Sequence, residues 1–399
     1  MSHFRTAIAR LAIVSLAFTY SSSLQAASDD IEREFDVGTG GTLLIESDAG
    51  SIDINTWDQN SVRVRVRNPS GFKVDIDQRG DDVRVKADSR GGFFRIRRSS
   101  IRFVVNVPVD YNLELETGGG NIDVSDISGD VSVDTSGGNI TIGTVSRGDV
   151  HADTSGGHID IREVDGNVDA DTSGGRITIG DVSGYVSADT SGGRITIGDV
   201  QGYILADTSG GNIEVGKGGS RVSLNTSGGT IRADWAIGAL IADTSGGNIY
   251  LEGSDTSIEA DTSGGNIVIE ASNGPVNADT SGGSITVRGA TGVVNADTSG
   301  GRIEVDLSAV RGDIGGSVEL DTAGGDVTLR IPASLRATIN ARLNVSRRSR
   351  GDYRIYTDFP LTIREDNDEI VASGDLNGGG DRITLRTRNS DIHIVSVDN

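Results

Sequence analysis

One word recurs through this chain at an almost constant interval. Asp-Thr-Ser-Gly-Gly begins at Asp134, Asp153, Asp171, Asp189, Asp207, Asp243, Asp261, Asp279 and Asp297. Asn225 opens a variant of it, and Asp321 opens Asp-Thr-Ala-Gly-Gly. Most steps are 18 residues; the first is 19 and the last 24. The longer steps read as one extra loop residue near Arg147 and a loop insertion around Asp306–Gly316. Glu116-Thr-Gly-Gly-Gly120 lies one period upstream. Degenerate copies sit near both ends, at Glu46-Ser-Asp-Ala-Gly-Ser-Ile-Asp-Ile54 and Arg386-Thr-Arg-Asn-Ser-Asp-Ile-His-Ile394. A fixed period of this size is the signature of a stacked repeat protein.

Within one unit, Val186, Ala188 and Thr190 alternate with Ser187 and Asp189; after the turn, Ile195 and Ile197 alternate with Arg194 and Thr196. This is the period of two that marks half-buried strands. Val200, between two glycine-containing words, adds a third apolar position. So short a unit cannot bury its apolar face alone, but it can when stacked on copies of itself. The pattern therefore predicts an all-β fold, a parallel β-helix or β-solenoid of 18-residue coils, each hydrogen-bonded to the next at about 4.8 Å. About twelve coils at that rise predict a rod of roughly 60 Å. Parallel crossovers favour a right-handed path. A left-handed coil of three hexapeptides is the alternative, and the apolar positions here are not spaced by six.

Composition fits a narrow lumen. The chain has 57 glycines, 4% aromatic residues and one Met among 399 residues. The glycines are expected at tight arcs that need positive φ. The absence of cysteine excludes disulfides, thiolate metal sites and thiol catalysis. With 58 Asp and Glu against 36 Lys and Arg the charge is −22, which disfavours nucleic acid and anionic lipid as partners.

The N-terminus reads as a secretory leader over 1–27: Arg5 and Arg10, an apolar run from Leu11 to about Tyr20, then small and polar residues up to Ala26 and Ala27. The run is too short to span a bilayer. Its removal leaves 34 basic against 58 acidic residues, a charge of −24. No later stretch is apolar enough to span a membrane, and no Cys follows the leader to take a lipid. The expected organisation is a leader (1–27), an N-terminal β segment and cap (28–115), regular coils (116–331), and a C-terminal β segment and cap (332–399). Caps are expected because the ends of a solenoid expose strand edges.

Val105-Asn-Val-Pro-Val-Asp-Tyr-Asn-Leu-Glu-Leu-Glu-Thr117, the Asp-Thr-Ser-Gly-Gly-x-Ile units and Gly378-Gly-Gly-Asp-Arg-Ile-Thr-Leu-Arg-Thr387 through Ile394 resemble the bacterial putative-adhesin β-strand repeat family, a domain family of unknown function. The resemblance runs from about Ile31 to Val397. It implies a β-solenoid of the bacterial envelope or surface, linked with adhesion or envelope stress. It supplies no catalytic residues.

Three features are candidates for chemistry. The first is the ladder of Asp134, Asp153, Asp171, Asp189, Asp207, Asp243, Asp261, Asp279 and Asp297, whose carboxylates should stack and repel by about 1 kcal/mol per neighbour in water. Calcium could offset this. So could amide hydrogens of each Asp's own turn, and this structural reading is the one expected, because Asn225 replaces one Asp without disturbing the period. The glycine-rich nine-residue calcium repeat is absent, so no metal is expected. Strong stabilisation by calcium would overturn that reading. The second feature is the stripe after Gly-Gly, including Asn139, His158, Arg176, Arg194, Asn212 and Arg302, expected as a solvated face. Trp57 and Trp235 look isolated, and Tyr185 and Tyr203, one period apart, make only a small patch. The third is a basic cluster, Arg90, Arg95, Arg97, Arg98 and Arg102, around Phe93 and Phe94. Arg95, Arg97, Arg98 and Arg102 are the candidate binding residues for an anionic polymer or an acidic partner; the competing role is to block a sheet edge. Charge reversal at Arg97 and Arg98 separates the two, since lost binding marks docking and aggregation marks a cap.

His151, His158 and His393 are the histidines after the leader, and no serine-hydrolase, zinc-protease or phosphate-loop word occurs. The expected function is a non-catalytic, adhesin-like scaffold or binding module. It would be a monomer needing no cofactor, exported to the periplasm, cell surface or medium, with an envelope protein or glycan as partner. The alternatives are a β-helix that binds or cleaves polysaccharide, as a lyase or glycoside hydrolase, and a calcium-stabilised repeat protein.

Overall fold

The computed structural model describes residues 30–90, 101–307, 310, 312–346 and 352–397. All regular elements among them are strands, joined into two long sheets that face each other. In the regular coils each repeat word ends a strand of one sheet, and the Ile-x-Ile that follows opens a strand of the other. Val186–Thr190 pairs in parallel with Val168–Thr172 below and Ile204–Thr208 above, with Asp189 between Asp171 and Asp207. Ile195–Ile197 stacks between Ile177–Val182 and Ile213–Val215. A third column is joined by bridges from Val182 through Val200 and Gly218 to Ala236. Val186, Ala188, Thr190, Ile195, Ile197 and Val200 are all buried, as their alternation predicts, and Ser187, Asp189, Arg194 and Thr196 are not. The solenoid is thus built by parallel in-register stacking of like on like. Arg147, at the 19-residue step, sits in the left-handed region at φ 55°, where the extra residue is taken up.

The repeat glycines are required for a different reason from the one expected. Those of the Ser-Gly-Gly turns are not in the left-handed region. The second glycine of each turn instead lies against the coil below. A Cβ on Gly211 would stand 1.7 Å from the Gly193 carbonyl oxygen, whereas one on Gly210 meets nothing nearer than 3.7 Å. This contact brings the buried Thr within reach of both coils. Thr208 Oγ1 accepts from Gly211 N–H at 3.2 Å and donates to the Gly193 carbonyl at 3.0 Å. The same relay recurs at Thr154, Thr172, Thr190, Thr226, Thr244, Thr262 and Thr280. No buried side-chain nitrogen or oxygen among the described residues lacks a partner, as a buried hydroxyl column requires.

The two ends do not stack in chain order. The coil formed by Thr42–Ser47 and Ser51–Trp57 is inserted between the later strands Asp82–Ser89 and Arg102–Pro108 on one side and Asn112–Thr117 and Ile122–Val124 on the other. At the far end, Asp381–Arg388 and Ile392–Val397 are inserted between Val318–Thr322 and Val327–Pro332 and the earlier strands Ala337–Asn344 and Ile355–Thr357. Coils therefore continue into both flanking segments. Antiparallel strands cover the outer edges: Phe72–Arg79 on Asp82–Ser89, Ser61–Arg67 on Arg102–Pro108, and Glu369–Leu376 on Ala337–Asn344. Ile31–Asp36 lies outermost on Ser61–Arg67, where Glu34 pairs with Arg63 and Glu32 with Arg65, each at 3.0 Å.

Candidate ligand-binding groove

The Asp ladder stands in one outward column, in register from Glu116 and Asp134 upward. The turn amide expected on its carboxylates is bonded instead to the Thr hydroxyl one residue on, as at Gly211 and Thr208. That position can do so because it points inward, while Asp points out. The carboxylates are left against one another. Partial burial, then the neighbouring Asp charges, raise Asp134, Asp189, Asp261 and Asp297 above the usual carboxylate range. Asp171 is raised by burial and then by Asp169, with Asp189 and Asp153 adding to it. Relief comes from side chains in the same column. Asn225 Nδ2 donates to Asp207 Oδ2 at 3.1 Å, and Arg386 meets Asp321 at 3.4 Å where the ladder ends. No group of three or more His, Asp or Glu among the described residues is arranged to hold a metal ion.

Of the basic cluster, Arg95, Arg97 and Arg98 lie outside the described residues. Arg102 holds Asp53 on the adjacent coil, with Nη2 donating to Oδ1 at 2.7 Å. The stripe after Gly-Gly does more than face solvent. Asn139 Oδ1 accepts the His158 amide at 2.9 Å, and His158 Nδ1 accepts the Arg176 amide at 3.1 Å. These side chains tie each coil to the next. His151 meets Asp169 at 3.5 Å.

The corner around the third column departs from this uniformity. Successive coils place Glu163, Asp181, Asp199, Lys217 and Trp235 in one axial row. With Asp165, Gln201 and Ile237 they line an open groove of about 700 Å³. Asp181 Oδ1 accepts the Asp199 amide, and Asp199 Oδ1 accepts the Lys217 amide, both at 2.9 Å. The preceding glycines make this possible: a Cβ on Gly198 or Gly216 would stand 2.5 Å from the Oδ1 of Asp181 or Asp199. Each carboxylate is thereby fixed through one oxygen and keeps the other for a ligand. Trp235 is fixed as well, because its ring fills the space that a side chain at Gly253 would need, with Cζ3 2.3 Å from that Cβ position. In the described part of the regular coils the exposed large apolar side chains are Tyr203, Leu205 and Ile237. Ile237 is on the groove rim at 58% exposure, and Tyr203 follows two residues after Gln201. Tyr185 and Tyr203 stack on each other at 4.7 Å, and Tyr185 lines a separate groove with His151 and Asp169. Trp235 has no ring stacked on it among the described residues; its neighbours in the row are Lys217 and Gly253, one coil away on either side. The recurring Gly-Asp pairs at 180–181 and 198–199 were the signal for the fixed carboxylates.

Similar solved structures include a putative cell adhesion protein from Clostridium sporogenes, 6% identical over 92% of this chain and 98% of that one, TM-score 0.17. Others are putative adhesins from Bacteroides fragilis (13% identical, 67% and 96% covered, TM-score 0.23) and Parabacteroides distasonis (14% identical, 68% and 98% covered, TM-score 0.26). No curated protein matches the sequence. The family model described as Toastrack DUF4097 matches residues 41–235, which take in the N-terminal inserted coil, the first regular coils and the groove as far as Trp235. Residues 41–235 are therefore similar to the Toastrack DUF4097 family, and the chain resembles the adhesin-type β-strand repeats whose function is not established.

Proposed function

We propose that the protein is an exported, non-catalytic β-solenoid of the bacterial envelope or surface that engages a partner through its side. The observation that carries this reading is the groove at Glu163–Ile237. It joins a fixed aromatic ring, an exposed aliphatic residue and oriented carboxylates on a scaffold whose other outward columns are largely polar. An apolar patch with convergent polar groups marks a binding site more often than a bare surface. The leader-like residues 1–27 support export. A frame bonded coil to coil suits a spacer that holds its groove away from the point of attachment. Cell fractionation with in-place crosslinking tests the reading. A shortened chain in the envelope or surface fraction, crosslinked to a discrete partner, supports it. An uncleaved cytoplasmic chain refutes it.

A further inference from the structure

We infer that the Glu163–Ile237 groove binds a linear glycan whose sugars carry free amino groups, of the glucosamine-oligomer type, lying along the solenoid axis; this rests on the binding-module reading above. Three properties of the groove select that chemistry. Its direction is axial, because five successive coils contribute to it and its contacts repeat about every 4.8 Å. A ligand that satisfies such a row is itself long and repetitive. Its charge is four carboxylates, Glu163, Asp165, Asp181 and Asp199, against one ammonium, Lys217. That balance attracts amines and repels uronates. Its polar groups are preorganised: Asp181 and Asp199 are held through Oδ1 at 2.9 Å, so each can take an ammonium or hydroxyl in a charge-assisted bond without first being ordered. Trp235, fixed over Gly253, offers a flat apolar face for the C–H face of a sugar and a π-surface for its ammonium.

A basic peptide shares the charge but fits the groove less well. An extended peptide gains much of its affinity by adding to a free strand edge. Here the backbone is already paired from coil to coil, with the Gln201 amide donating to the Val182 carbonyl and the Gly219 amide to the Val200 carbonyl. Recognition must come from side chains, which suits a ligand rich in hydroxyls and amines.

Calorimetric titration of the purified protein with a glucosamine hexamer tests the inference, with the N-acetylated hexamer, hexagalacturonate and hexalysine as comparators. The glucosamine hexamer binds, the N-acetylated hexamer binds about 10-fold or more weakly, and hexagalacturonate does not bind. The double variant Asp181→Asn/Asp199→Asn loses about 10-fold or more. It keeps both Oδ1 acceptors and hence the melting temperature. Trp235→Ala weakens binding to a similar degree. No binding of the glucosamine hexamer, or equal binding by the double variant, overturns the inference. So does equal affinity for the N-acetylated hexamer, which assigns a neutral glycan, or for hexalysine, which assigns a basic peptide. A double variant that still holds its partner at the surface overturns this inference alone and leaves the surface-module reading standing.

Discussion

Substituting one methyl group at two adjacent glycines tests the stacking contact that builds the solenoid. In Gly211→Ala the new Cβ starts 1.7 Å from the Gly193 carbonyl oxygen and 2.4 Å from its carbon. A relaxed carbon contact needs about 3.5 Å, so the corner must open by roughly 1.5 Å or more. Thr208 Oγ1 donates to that carbonyl at 3.0 Å, and this bond cannot survive such a displacement. The loss leaves a buried carbonyl and hydroxyl without their partner, about 1–3 kcal/mol, and the overpacking adds about 1–3 kcal/mol. The sum is about 2–6 kcal/mol. In Gly210→Ala the nearest atom is 3.7 Å away, so the change stays within about 0.5 kcal/mol. Urea unfolding followed by far-UV circular dichroism gives the global difference, and hydrogen exchange at Gly211 and Asn212 gives the local one. Equal midpoints and equal protection in the two variants would refute the close-approach reading of the repeat.

Other outcomes follow from the same columns. Thr208→Val keeps the shape but removes the hydroxyl that serves Gly211 N–H and the Gly193 carbonyl, and costs about 1–3 kcal/mol in the same unfolding assay; Thr208→Ser retains most of the stability. Asp134, Asp171, Asp189, Asp261 and Asp297 have pKa values raised by folding, so their contribution to stability is present below the usual carboxylate pKa and lost as pH rises through the raised values. Glu34, lowered chiefly by Arg63, works in the opposite sense. With five groups against one, the melting temperature rises as pH falls from 7 toward about 4.5, and added salt at pH 7 raises it too; a steady fall on acidification counts against the ladder. Asp261→Asn stabilises by about 0.2–1 kcal/mol by removing a like charge between Asp243 and Asp279.

Much of the fold was legible because the repeat states its own register. The alternation in Val186–Thr190 and Ile195–Ile197 assigned the buried faces, and the single extra residue fell at Arg147. The order of coils at the ends was not legible. Glu46–Ile54 and Arg386–Ile394 resemble the unit well enough to be coils, but a coil that stacks on any copy does not reveal which two it lies between. Which side chain takes the turn amide was hidden for a related reason: sequence shows that Asp and Thr both neighbour the turn, while only the inward direction of Thr gives it the Gly amide. The groove was hidden because its members differ in type and are 18 residues apart, so Trp235 looked solitary beside Asp199 and Lys217.

The most direct test of a side-binding solenoid is a photo-crosslinker placed in living cells at Gln201, in the groove, and separately at Ser245, exposed at the repeat-word corner. A side-binding solenoid gives one dominant crosslinked product from position 201 and none from 245. Equal labelling from both positions, or none from 201, would contradict it.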